Sequence, residues 1–280
     1  MSSYASEDYG SFKQPYPPFT PPDNDPLVPP DFNGWFQRII GVVRHSFTAL
    51  AVLVAIITPI SVVIRALQAA VKPDLTALRY GAGAAADVDA AMGQYTVVTL
   101  AGLLILLVAS AYVNSAAVFV VIRDAAERPT SALDALRLGA GRALPLLGWQ
   151  LATGIMMGVG LILLLVPGLY VAIVFSASLL GVVVVERQGI GRCFALVNRR
   201  FLATADRVLL YFMITVAYCV AVALITGGFG TTSVIMIIIQ QILLIPLGIV
   251  AAAFAVVTYA ELRFHEQGAT TETLAAELHR

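Results

Sequence analysis

Of 280 residues, 59% are hydrophobic and 12% charged, where soluble domains carry about 45–50% and about 25%. Seventeen basic and seventeen acidic residues are too few to clothe a water-soluble fold of this size, and their balance leaves no basic field to attract nucleic acid. Two cysteines, Cys193 and Cys219, exclude a disulfide scaffold and a thiolate metal site.

Residues 1–30 hold eight of the fourteen prolines. Repeated proline removes backbone donors and blocks helix, so this segment is expected to be a disordered, polyproline-like tail. It is either a solvated leader or a docking site for a proline-recognising protein partner. It lacks the basic start and apolar run of a secretory signal. In Asp31–Phe47, the residues Trp35, Phe36, Ile39, Ile40 and Val43 form the kind of belt that anchors at headgroup depth.

Six long apolar runs follow: Leu50–Ala70, Thr96–Ile122, Ala143–Val166, Leu169–Val185, Val208–Gly227 and Thr232–Ala260. About 20 helical residues cross about 30 Å of hydrocarbon. The runs are continuously apolar rather than alternating, which excludes membrane strands. The fourth reaches only about 26 Å at 1.5 Å per residue, so it must stand upright or be an interior helix. The fold class is therefore all-α integral membrane: a six-span helical bundle over residues 31–264, with a short C-terminal tail at 265–280.

Interfacial amphipathic helices are expected between the hairpins. In Ile190–Phe201 the apolar residues Ile190, Phe194, Val197 and Phe201 share one face, and Arg192 and Arg199 point the other way. Ser131–Leu138 begins with Ser131 and Asp134 spaced as a capping-box variant. The chain then reads as three copies of an interfacial helix followed by two spans. Gly41–Arg44, Gly139–Arg142 and Leu196–Arg199 hold comparable places before spans one, three and five.

Both termini on the cytoplasmic side put fourteen basic residues inside and three outside, so the orientation expected is N-in, C-in. Arginine in place of lysine, with many alanines, suggests a bacterial chain and hence a bacterial inner membrane. Membrane lipids are then expected partners, with anionic headgroups at the cytoplasmic arginines, each attraction contributing about 1 kcal/mol.

Chemistry-bearing groups are sparse. His45, His265 and His279 have no second histidine or cysteine at metal-ligand spacing, and no nucleophile elbow or phosphate loop is present. No catalytic, metal or cofactor residue is assigned, and no enzyme activity is expected. The acids Asp124, Glu186 and Glu261 fall at span ends rather than mid-membrane, where ion-coupled transporters bury them. Arg65 reads as an outward anchor. Glu186, Arg192, Arg199, Arg200, Glu261 and Arg263 form a candidate cytoplasmic clamp that would hold the 190–203 helix onto the bundle. Asn114, Gln150, Gln240 and Gln241 are either a polar cavity lining or interhelical hydrogen-bonding glue. Pro246 after the Gln240–Gln241 pair predicts a kink in span six. Gly154, Gly158 and Gly160 permit close helix approach in span three.

Val166-Pro167-Gly168-Leu169-Tyr170, then Val184-Val185-Glu186 with Gly189 and the helix Ala195–Leu202, form half of a resemblance; Tyr259 to Glu266 closing the last span is the other half. Together they resemble the bacterial multi-span family labelled glycerophosphoryl diester phosphodiesterase membrane domain. His265 stands where a second arginine is common, and no serine accompanies Asn198-Arg199. The resemblance implies fold and location. It implies no activity, because the catalytic domain that gives the family its label has no counterpart here. The function expected is a non-enzymatic scaffold or accessory factor for envelope or lipid-related processes; the alternative is a small-molecule or lipid transporter or export pore.

Overall fold

The computed structural model describes residues 22, 24–73, 82–227 and 234–278. The Pro-rich stretch up to residue 21, Arg79 of the first connector, the Gly228–Thr231 turn, Thr232 and His279 lie outside the described residues. Helices α1 (Phe32–His45), α2 (Phe47–Ala70), α3 (Ala82–Ala125), α4 (Ala132–Leu163) and α5 (Leu165–Gly181) come first. After them α5 continues as a π turn (Val182–Glu186), followed by α6 (Ile190–Asn198), α7 (Phe201–Gly227), α8 (Val234–Gln267) and α9 (Thr271–Leu278). There are no strands among the described residues. Six helices, α2, α3, α4, α5 with its π turn, α7 and α8, are long and apolar enough to cross a membrane. The protein is a multi-pass all-α membrane bundle.

Local chemistry sets the helix ends. Asp31 caps α1, its Oδ1 accepting from the Gly34 amide at 2.6 Å. Ser131 caps α4 by accepting from the Asp134 amide at 3.1 Å, and its hydroxyl donates back to the Asp134 carboxylate at 2.7 Å. From that cap α4 runs unbroken to Leu163, so the expected interfacial helix at 131–138 is the first two turns of the span itself. The Ser115 hydroxyl of α3 donates to the Gly139 carbonyl at 3.0 Å, holding this junction straight against its neighbour. Two of the three interfacial helices, α1 and α6, form as separate elements, and the middle copy of the proposed repeat lacks one.

The third connector also moves. The apolar runs leave Pro167-Gly168 as the turn between spans three and four, but the chain reverses at Leu164, and Pro167 lies in the first turn of α5, where its missing N–H loses nothing. The reversal is tight: a Cβ on Gly168 would stand 2.6 Å from the Leu161 nitrogen. Gly154 and Gly158 face open space instead. Helix α8 is continuous through Pro246, and one turn earlier Tyr218 Oη of α7 donates to the Leu243 carbonyl at 2.5 Å.

Around the bundle α2 packs on α3 and α8, α3 on α4, α4 on α5, and α5 on α8, with α7 against α8 and α5. The short fourth span is the interior helix. The most apolar stretch of α5 and its π turn is 67% buried by protein, against 11–17% in the other five. Packing is uneven along the bundle axis. Val120, Ile122, Val184, Leu196, Val257 and Tyr259 are fully enclosed at the end carrying both termini, whereas Ile162 and Val166 at the other end are 85% and 78% exposed. Those apolar surfaces are solvated by lipid rather than by protein.

Both chain ends fold onto the packed end. Residues 265–280 were read as a tail, but α8 extends to Gln267 and α9 packs back with Leu274, Ala275 and Leu278 buried. Asp25 joins the two termini: its carboxylate accepts from the Leu27 and Val28 amides, from the Thr271 amide at 2.9 Å, and from the Thr271 hydroxyl at 2.5 Å. Leu27 and Val28 are fully buried, so the Pro-rich segment reaches the bundle through an anchored strap.

Candidate functional site

The π turn that ends α5 organises the charged end. Adding a residue to the turn shifts the backbone ladder and leaves carbonyls without their usual donors. Arg142 of α4 supplies one, its Nη1 donating to the Val184 carbonyl, while Nη2 reaches the Leu278 carbonyl of α9 at 3.3 Å. The turn closes on Arg187 in the left-handed conformation, φ 56°, ψ 32°.

Glu186, the last residue of the turn, is the hub. Its side chain is 4% exposed and accepts from Arg192 Nε of α6 at 2.7 Å and from Tyr259 Oη of α8 at 3.1 Å; Arg263 Nη1 lies 2.9 Å away. Tyr259 reaches it by lying across Gly181, where a Cβ would fall 2.1 Å from the ring. The network continues outward. Arg192 binds both oxygens of Glu266, Arg199 stands 3.4 Å from Glu266, and Arg263 donates to both oxygens of Glu277 on α9 at 2.8 and 3.1 Å. Bonds to Glu266 first, and to Glu186 next, hold the Arg192 guanidinium protonated well above the ordinary arginine range, against the opposing effect of burial.

A second centre is built on Glu261, which lies between Tyr259 and Arg263 on α8. Glu261, also buried, pairs with Arg207 of α7 at 2.6 Å, with Arg200 and His265 each at 4.0 Å. Arg207 also lies over the neighbouring rings of Phe32 and Trp35, whose centroids are 5.9 and 6.0 Å from its guanidinium carbon. Trp35 Nε1 donates to the Thr258 hydroxyl at 3.1 Å, tying α1 to α8.

All six residues of the candidate clamp, Glu186, Arg192, Arg199, Arg200, Glu261 and Arg263, fall in these two centres, on α6, α8 and the intervening π and α6–α7 turns. Sequence reasoning missed Glu266, Glu277, Arg207, Tyr259 and Arg142. Tyr259 and Arg263 are four apart on one helix face, a readable signal; Glu277 was hidden in the segment read as a tail. At the same end Asp124 accepts from the Ser46 hydroxyl and faces His45 Nε2 at 3.9 Å.

The four amides are not brought together by any hydrogen bond among the described residues. Asn114, Gln240 and Gln241 are half-buried on α3 and α8, and half-buried Gln150 on α4 leaves its Oε1 without a partner. Three clefts open at the charged end, of about 450, 600 and 400 Å³, and none is lined by an amide of that set. Among the described residues no group of three histidine, cysteine, aspartate or glutamate side chains is placed to hold a metal ion. Comparison with protein families, with curated proteins and with solved structures finds no match to this chain.

Proposed function

We propose that this multi-pass membrane protein is a non-enzymatic scaffold or accessory factor for envelope or lipid-related machinery in a bacterial inner membrane. Both termini and the charged end face the cytoplasm in this reading. We also propose membership of the multi-span family its motifs resemble, as a membrane domain without the catalytic partner.

The observation that carries the reading is the cross-bracing of the charged end. Four carboxylates, Glu186, Glu261, Glu266 and Glu277, are each held by arginine, and through them α6, α7, α8 and α9 become one rigid body. A coupled transporter needs acids that exchange partners near the membrane midplane; these sit together at one end in fixed pairs. A rigid face beside an anchored Pro-rich strap suits docking of other proteins.

Photocrosslinkers at exposed Ala195 and Asn198 of α6, activated in native membranes, are expected to capture a discrete protein partner. Absence of any adduct, together with protein-dependent flux of solute across reconstituted liposomes, would replace this reading with the transporter one.

A further inference from the structure

Seven arginines at the charged end are paired with carboxylates: Arg192, Arg199, Arg200, Arg207 and Arg263 in the two centres, Arg128 with Glu272 and Arg137 with Asp134. Among the described residues no ion pair takes Arg142 or Arg187. Both guanidinium groups carry their charge without a carboxylate partner among those residues, Arg142 donating instead to the neutral Val184 and Leu278 carbonyls. They line one cleft of about 400 Å³ together with Gln188, Trp149 and Pro145, and no carboxylate is in its lining.

Arg187 holds the left-handed helix-capping position, which favours glycine because a Cβ there crowds the chain. Glycine there would remove the charge without adding strain to the backbone.

The cleft is also layered. Trp149 lies seven residues along α4 from Arg142, about 10 Å toward the apolar end. Its indole covers Gly189, where a Cβ would stand 2.7 Å from Cζ2. Cation followed by aromatic is the order in which a phospholipid at a membrane surface presents its phosphate and, beneath it, its glycerol ester. An acidic peptide would engage the charges and leave the indole unused.

We propose that the cleft between α4 and the π turn binds an anionic phosphate ester, presented by a phospholipid headgroup, through Arg142 and Arg187 with Gln188 as a further donor. Planar guanidinium groups suit phosphate oxygens in bidentate fashion. The site deepens the scaffold reading and rests on it only for the charged end lying at a membrane surface; purified protein tests it apart from partner capture.

The test titrates full-length protein in a neutral detergent with dioctanoyl phosphatidylglycerol, dioctanoyl phosphatidylcholine, glycerol 3-phosphate, inorganic phosphate and an octaglutamate peptide, following thermal midpoint and tryptophan fluorescence. Arg187→Gly removes the charge at a position glycine fits, so its ligand-free midpoint should be unchanged or higher. Saturable stabilisation by phosphatidylglycerol beyond phosphatidylcholine, with apparent affinity reduced tenfold or more in Arg187→Gly, supports the lipid source. The same pattern with glycerol 3-phosphate or inorganic phosphate at equal concentration supports the phosphate site and assigns it a soluble ligand. No saturable response, a response unchanged in Arg187→Gly, or a response to octaglutamate alone overturns the proposal.

Discussion

Neutralising the two buried hub carboxylates separates pairing from mere charge count. Glu186 has three partners within 3.1 Å and Glu261 one, at 2.6 Å, so a tally of close contacts ranks Glu186→Gln as the worse change. The structure gives the opposite order. After Glu186→Gln, Arg192 keeps Glu266 and Arg263 keeps Glu277, and the amide oxygen can still accept one guanidinium bond. The loss is then of the order of one charged hydrogen bond, about 2 kcal/mol. Glu261→Gln leaves Arg207, 8% exposed, with no other ion-pair partner among the described residues, and an uncompensated buried charge costs about 3–5 kcal/mol. At about 2–4 °C per kcal/mol for chains of this order, detergent-solubilised protein should melt about 4–8 °C lower for Glu186→Gln and at least about 6 °C lower, always the larger drop, for Glu261→Gln. Replacing both partners with apolar residues, Glu261→Leu with Arg207→Met, should recover part of that loss. A larger drop for Glu186→Gln, or melting within 1 °C of the parent for both, would refute the reasoning.

Gly181→Ala places a methyl group inside the Tyr259 ring, so it should cost about 1–3 kcal/mol by overpacking, and adding Tyr259→Leu should restore most of the midpoint. Asp25→Ala removes four accepted hydrogen bonds, two within the strap and two that join it to α9; hydrogen exchange should quicken at residues 24–30 and 271–278 while α5 stays protected, and uniform protection would contradict the latch. Burial, the largest cause, pushes the Cys193 thiol above its ordinary range. A raised thiol stays neutral as pH rises, so in a Cys219→Ala background maleimide should label Cys193 slowly at pH 7, faster only at alkaline pH, and at the ordinary rate once SDS unfolds the protein; fast labelling at pH 7 would count against it.

Membrane class, six spans and the grouping of arginine at one end were legible in the chain, because each depends on local composition. A run of twenty apolar residues is committed to hydrocarbon whatever its neighbours do. The amphipathic face of 190–198 and the Ser131 cap were legible for the same reason, as both are periodic or short-range signals. The interior place of the fourth span was half-legible: its shortness admitted two solutions, and only contact with α4, α7 and α8 selected one.

Tertiary structure decided which acid meets which base. Glu186 and Glu266 are eighty residues apart, yet Arg192 joins them, and no local pattern distinguishes a paired arginine from Arg187, which has no ion pair among the described residues. It also turned residues 271–278 from an apparent tail into a packed helix, since Glu277 and Leu278 acquire partners only when α9 meets Arg263 and Arg142. Hydrophobicity is a property of a residue and its near neighbours, and so is written in order along the chain; ion pairing depends on distances of about 3 Å across helices, and those exist only after the bundle has closed.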